Sequence, residues 1–152
     1  MSAYYGTILE ANAYFAERLN TDAWDDTVDS DDVTHIKGLK QATRAIDALN
    51  FYGTKTDEDQ ELQFPRDDDS EVPTEIKQAC FEEALSLLDG SDSELEFSNL
   101  DMKSQGYANI RSTYDRSSPP LHIIAGFTSV TAWRKLKPYL RDGQNIELSR
   151  VN

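Results

Sequence analysis

Apolar residues recur at helical spacing in four stretches of the chain, and that period predicts most of the fold. Over 7–20, Ile8, Ala11, Phe15 and Leu19 share one face of a helix. Its start is marked by Thr7-Ile8-Leu9-Glu10, a capping box in which Thr7 caps the helix and Glu10 reaches back. Asn20-Thr21 end it. Over 31–51, Ile36, Leu39, Ala42, Ile46 and Leu49 repeat the pattern behind an acidic start, Asp31-Asp32, which suits the positive end of the helix dipole. Gly53 is placed as its C-terminal cap. Over 73–89, Pro73 occupies the first turn, where its missing N–H is not needed. Ile76, Cys80, Ala84 and Leu87 or Leu88 then face inward, and Gly90 stops the helix. Over 128–141, Val130, Trp133, Leu136 and Leu140 share a face flanked by Arg134, Lys135, Lys137 and Arg141. Pro138 falls inside this pattern and bends or ends the helix.

The intervening segments lack that period. Residues 22–32 hold six aspartates and Trp24, a composition that favours turns and helix starts. Residues 54–72 form a polar loop pinned to the body by Leu62 and Phe64. Within 91–117, Tyr107 to Tyr114 alternates weakly as a strand does, between the turn signals Gly106 and Ser117-Ser118-Pro119-Pro120. Residues 144–152 read as an arm. The predicted fold is mainly α: a compact bundle of about four helices, with a small β segment near 105–115 and an extended C-terminal arm. The division expected is a helical body over 1–127 and a C-terminal helix and arm over 128–152.

Composition adds a reason to look for neighbours. The 152 residues suit one domain. The hydrophobic fraction, 38%, is low for such a domain and predicts a small core completed by adjoining subunits. Charge is divided along the chain. Residues 1–102 carry 25 acids and 7 bases, a net −18, whereas 103–152 carry 3 acids and 8 bases, a net +5. An acidic body repels the phosphate backbone, and a basic terminal segment seeks an acidic surface. Cys80 is the only cysteine, so an intrachain disulfide is excluded, and it reads as a small buried apolar residue. Met1-Ser2-Ala3-Tyr4-Tyr5 lacks the features of a signal peptide, and nothing approaches the ~20 apolar residues of a membrane span. A cytoplasm-like compartment and no membrane partner are expected.

Reactive chemistry is sparse. His35, read as a surface residue, and His122, read as a packed one, have no cysteine pair to make a metal site. Asp67-Asp68-Asp69-Ser70-Glu71 lacks the spacing and glycine of a calcium loop and reads as a solvated loop. Phosphate-binding glycine motifs and GxSxG are missing from the sequence. No catalytic, metal or cofactor site is predicted, and the chain is expected not to be an enzyme. Arg66, beside three aspartates, is assigned either a local salt bridge or a contact between subunits.

Three segments together resemble a known family. They are Tyr5-Gly6-Thr7 with Glu10-Ala11-Asn12-Ala13-Tyr14-Phe15-Ala16-Glu17-Arg18 and Trp24; Lys40 to Leu49 with Phe51-Tyr52-Gly53; and Leu62-Gln63-Phe64-Pro65-Arg66 with Val72 to Ala79. In order and spacing they resemble small head-to-tail connector proteins of tailed bacteriophages. In those, a tyrosine–glutamate–alanine–asparagine–tyrosine start precedes a tryptophan–proline–arginine loop; Phe64 here stands in the tryptophan position. Some members carry a label of similarity to a primosomal single-strand-DNA-binding protein. The likeness spans about residues 4–90. It implies an α-helical subunit, about twelve of which form a ring beneath the portal and receive tail or nozzle proteins. Genomic DNA would pass through the ring without specific binding. On this view Trp133, Tyr139 and Leu140 anchor the C-terminal helix in the portal, and Arg134, Lys135, Lys137 and Arg141 orient it; the alternative is that Trp133 and Leu140 belong to the subunit's own core.

Two other readings compete. A single-strand-DNA-binding accessory protein would present a basic groove with stacking aromatics, for which Tyr107, Arg111 and Tyr114 offer a fragment. An acidic DNA mimic would array carboxylates along one face at phosphate spacing.

Overall fold

The computed structural model describes residues 4–100, 104–107, 110–113 and 120–141. The chain is mainly α-helical. Four of the helices are those the apolar period predicts: α1 (Ile8–Phe15), α2 (Val33–Asp47), α3 (Thr74–Leu88) and, near the C-terminus, Val130–Leu136. Two more lie between them, α4 (Ser93–Asn99) and α5 (Leu121–Ile124), so the last is α6.

α3 is the central element. It packs against α2 on one side and α6 on another, with α1 across a third. It therefore buries residues nearly all round: Ile76, Ala79, Cys80, Phe81, Glu82, Glu83, Ala84 and Leu85. Ile8, Ala11 and Phe15 of α1, Leu39, Ala42 and Ile46 of α2, and Ala132, Trp133 and Leu136 of α6 complete one core, which Trp24, Phe51, Phe64, Phe127 and Leu140 extend. Because α6 supplies part of this core, it belongs to the same packed body as α1 to α3. Cys80 is buried at its centre, where burial pushes the thiol up to about 12 and keeps it un-ionised.

The helix ends differ from expectation for local reasons. α1 stops at Phe15 instead of running to Asn20. Arg18 turns away from the helix to pair with Glu82, its guanidinium also bonds the Leu19 carbonyl, and Asn20 takes a positive φ of 61°. Leu19 consequently leaves the apolar face and is 82% exposed. α2 is shorter at both ends than 31–51. Asp32 caps it by accepting from the His35 N–H, and Asp47 closes it, its carboxylate taken by the Tyr5 hydroxyl and the Gln63 N–H. Gly53 is thus not a helix cap. It holds a φ of 76° in a turn where a side chain would collide with the Asp67 carboxylate.

The loop after α2 is built on backbone pairing. Thr56 N–H donates to the Pro65 carbonyl and Asp67 N–H to the Thr54 carbonyl, which folds the polar segment back on itself. Phe64, preceding a cis peptide to Pro65, is buried, and Leu62 packs on the core. Phe51 pairs with Leu140, and Arg141 N–H bonds the Asn50 carbonyl, so the end of the described chain is tied to the end of α2. Pro138 lies in a short 3-10 turn, Lys137–Tyr139, that ends α6. Strands β1 (Ser104–Tyr107) and β2 (Ile110–Thr113) pair antiparallel, Gly106 opposite Arg111. The segment 91–100, read as lacking helical period, instead contains α4. Asp92 caps it through the Glu94 N–H, a start that its apolar residues do not reveal. The predicted arm, 144–152, lies outside the described residues, as does Tyr114.

Candidate functional site

Glu82 and Glu83 are adjacent on α3 and both buried. Successive residues of a helix point about 100° apart, so the two carboxylates serve different neighbours. Glu82 faces α1. It accepts from Arg18 Nε at 2.7 Å and Nη2 at 3.0 Å, and from the Tyr14 hydroxyl at 2.7 Å. Tyr14 in turn is held well above the usual tyrosine range by burial and by that carboxylate. Glu83 faces α6 and has no cation partner among the described residues. It accepts from the backbone N–H groups of Thr128 and Ser129 and from the Thr128 hydroxyl, all within 3.2 Å. It thereby fixes the start of α6, and burial pushes its carboxyl above the ordinary range.

Next to the Tyr14 and Arg18 side chains that hold Glu82, a groove of about 640 Å³ opens between α1 and α3, lined by Glu10, Tyr14, Arg18, Lys77, Gln78 and Phe81. Cations and aromatic rings meet here, which is the chemistry a nucleic-acid strand would need. The cations are already engaged. Arg18 is paired with Glu82, Lys77 lies 2.9 Å from Glu10, and Lys135 donates to Gln78 Oε1 at 3.0 Å with its ammonium 5.9 Å from the Tyr14 ring. The rings are engaged too. Phe81 is buried, and Tyr14 leans edgewise on Phe15 at 5.2 Å. Phe81 also lies where a side chain on Gly6 would project, which requires glycine there.

The residues expected to dock a partner divide into three groups. Trp133 and Leu140 are in the protein's own core, Trp133 against Phe127 at 5.8 Å. Lys135 is held beside the groove just described by its bond to Gln78, and Tyr139 donates to Glu75 and packs its ring on Phe64 at 5.8 Å. Arg134, Lys137 and Arg141 remain at the surface, Lys137 partly covered, and have no carboxylate partner among the described residues. Arg66 does not form the expected salt bridge with its aspartate neighbours. It is buried, and its guanidinium donates to the carbonyls of Tyr52, Gly53 and Gln63 and to Gln63 Oε1. That occupies four of its five N–H groups and makes it the clamp of the 52–66 loop.

His35 is not at the surface. Its Nδ1 is 2.7 Å from Asp32 Oδ1, its ring meets Trp24 edge-on at 4.4 Å, and its buried Nε2 has no partner among the described residues. Among the described residues no set of histidine, cysteine and carboxylate side chains gathers to hold a metal ion, and no helix is long and apolar enough to cross a membrane. His122, on α5, is half-buried, and burial lowers its pKa.

Residues 3–151 match the protein family described as "Putative DnaT-like ssDNA binding protein". The chain belongs to this family. No curated protein and no solved structure matches it. In this member of the DnaT-like family, the part that resembles phage connectors and the remainder to residue 151 fall within one family match. Of the aromatic and basic residues weighed for strand binding, Tyr107 and Arg111 lie on β1 and β2. Sequence reasoning missed Tyr14, Arg18, Glu82 and Glu83. Acidic residues are read as surface by default, and the one available signal was their position between Phe81 and Ala84, inside a helix apolar on several sides.

Proposed function

We propose that this protein is a structural component of a tailed-phage virion. It is a head-to-tail adaptor that forms a ring under the portal, joins it to the tail or nozzle proteins, and lets DNA through. It is not an enzyme. The observation that carries this reading is the state of the cations. The described body is strongly acidic, and the cations in and beside its aromatic groove are tied to Glu82, Glu10 and Gln78. A duct for DNA gains from such a surface, because phosphates that are not bound do not slow the strand. The connector-like motifs over residues 4–90 point the same way. Docking on the portal then falls to the basic C-terminal end. Since Trp133 and Leu140 are core residues, the contact falls to the exposed Arg141 and the segment after it.

A second reading, binding of single-stranded DNA, is favoured by the description of the family. It requires the strand to displace the internal partners of Arg18, Lys77 and Lys135, or to use residues of the hairpin. The deciding experiment is co-sedimentation with the portal ring of the same phage, followed by particle imaging. Adaptors stacked on the portal, lost when residues 142–152 are removed, support the first reading. Absence of portal binding, with single-stranded DNA retained in moderate salt, establishes the second.

A further inference from the structure

α4 is seven residues long and buries none of them. Helices this short are marginal in water unless something packs on them. Its neighbour is α5, which likewise has no buried residue. Ser93, Glu96 and Leu100 are half-covered and mark the side turned toward the body. The opposite arc carries Leu95, 60% exposed, and Phe97, 52% exposed, roughly 160° apart on the wheel, with Glu94 and Ser98 between them. Two half-exposed apolar side chains flanking an acid make a surface that suits a partner with apolar and basic groups.

A complementary surface exists on the same molecule. Val130, Arg134 and Lys137 recur at i, i+4 and i+7 along the outer side of α6 and its 3-10 extension, with Arg141 beyond. Val130 is 43% exposed, and the three cations are without a carboxylate partner among the described residues. In a chain with 28 acids and 15 bases, three basic side chains left unpaired on one face are available to a partner. One surface is acidic with apolar flanks; the other is basic with an apolar end. Because the two patches differ, their pairing is head-to-tail, the kind of pairing that builds a ring when the rotation between copies closes and an open filament when it does not.

We infer that the outward arc of α4 is covered by the outer face of α6 of a second copy of this chain, Glu94 against Arg134 and Lys137, with Leu95 and Phe97 packed around Val130. This rests on the ring reading above and names the contact that builds the ring. The test mixes two charge-reversed variants, Glu94→Arg and Arg134→Glu/Lys137→Glu, and follows self-association by sedimentation velocity, alone and on the portal. All three positions are at the surface, and unchanged thermal unfolding confirms folding. Each reversal alone is expected to weaken self-association by about tenfold or more. An equimolar mixture is expected to restore it, because each reversed face then meets an opposite charge. If the wild-type chain assembles and the reversals leave assembly unchanged, or the mixture fails to rescue, the contact is wrong while the ring reading stands. If reversal on α6 abolishes portal binding without touching self-association, that face serves the portal and the inference is overturned. A wild-type chain that stays monomeric both free and on the portal removes the ring reading and this contact together.

Discussion

α3 and α4 are consecutive helices, joined by only a few residues, yet they live in different environments. α3 has neighbours on three sides and buries eight of its residues, two of them glutamates. α4 buries none and leaves a leucine and a phenylalanine half bare. What separates them is not local propensity, since both are well-formed helices with acidic first turns. The difference is what the rest of the chain offers to pack on them. α3 is stabilised by its own subunit, whereas α4 carries apolar surface that its own subunit leaves uncovered. The comparison shows that one chain can hold both a well-packed core and apolar surface that its own fold leaves bare.

The sharpest way to break that comparison is to cut into the α3 side. Trp133→Ala removes a buried ring from the face α6 presents to α3 and is expected to cost about 3–5 kcal/mol in chemical denaturation. A loss under about 1 kcal/mol would mean that α6 is a docked appendage and not part of the core. Arg66→Ala comes next. It leaves the carbonyls of Tyr52, Gly53 and Gln63 without their charged donor, at about 2 kcal/mol. A lower Tm in the isolated chain is the expected outcome. Lost assembly with an unchanged Tm would instead make Arg66 a contact between subunits.

The same contrast explains how much of the fold was legible in the sequence. The helices that pack on α3, together with α3, have apolar residues at helical spacing, because burial against a neighbour imposes that period. α4 has no such stripe. Leu95 and Phe97 are two residues apart, so they point in different directions and give no periodic signal. Helix ends were the other weak point. Leu19 continues the stripe of α1 by spacing alone, but the Arg18–Glu82 pair, 64 residues apart in sequence, draws the chain out of the helix before it. Long-range pairings of this kind decide the candidate site as well. Nothing adjacent to Lys135 forecasts its hold on Gln78, and nothing beside His35 forecasts its burial against Trp24.

Within α3 the two glutamates sharpen the comparison further, at smaller cost. Glu82 has a guanidinium; among the described residues Glu83 has only N–H and hydroxyl donors, and burial raises its carboxyl in the folded state. Between the ordinary glutamate value and that raised one, the folded chain holds a proton that the unfolded chain has released. The stabilising contribution of Glu83 is therefore fully present below this window and declines as pH rises through it. Glu83→Gln has no such proton. The stability of the variant relative to wild type should climb as pH rises through the window and level off above it. The raised Asp47 carboxyl is common to both proteins and cancels. A relative stability independent of pH would show that the Thr128 and Ser129 donors offset the burial in full.

The smallest effect belongs to α4, and it is the most informative for assembly. Leu95→Ala and Phe97→Ala remove apolar surface that is already in contact with water, so the isolated chain should lose no more than about 0.5 kcal/mol from either. The same two substitutions on α3, for example at Ile76 or Leu85, would open cavities and cost several-fold more. Stability that is indifferent to Leu95 and Phe97, combined with self-association that depends on them, is the signature of surface reserved for a neighbour. If instead Phe97→Ala lowers the Tm of the dilute chain by several degrees, α4 is held by its own subunit. The distinction between the two helices would then be one of degree and not of kind.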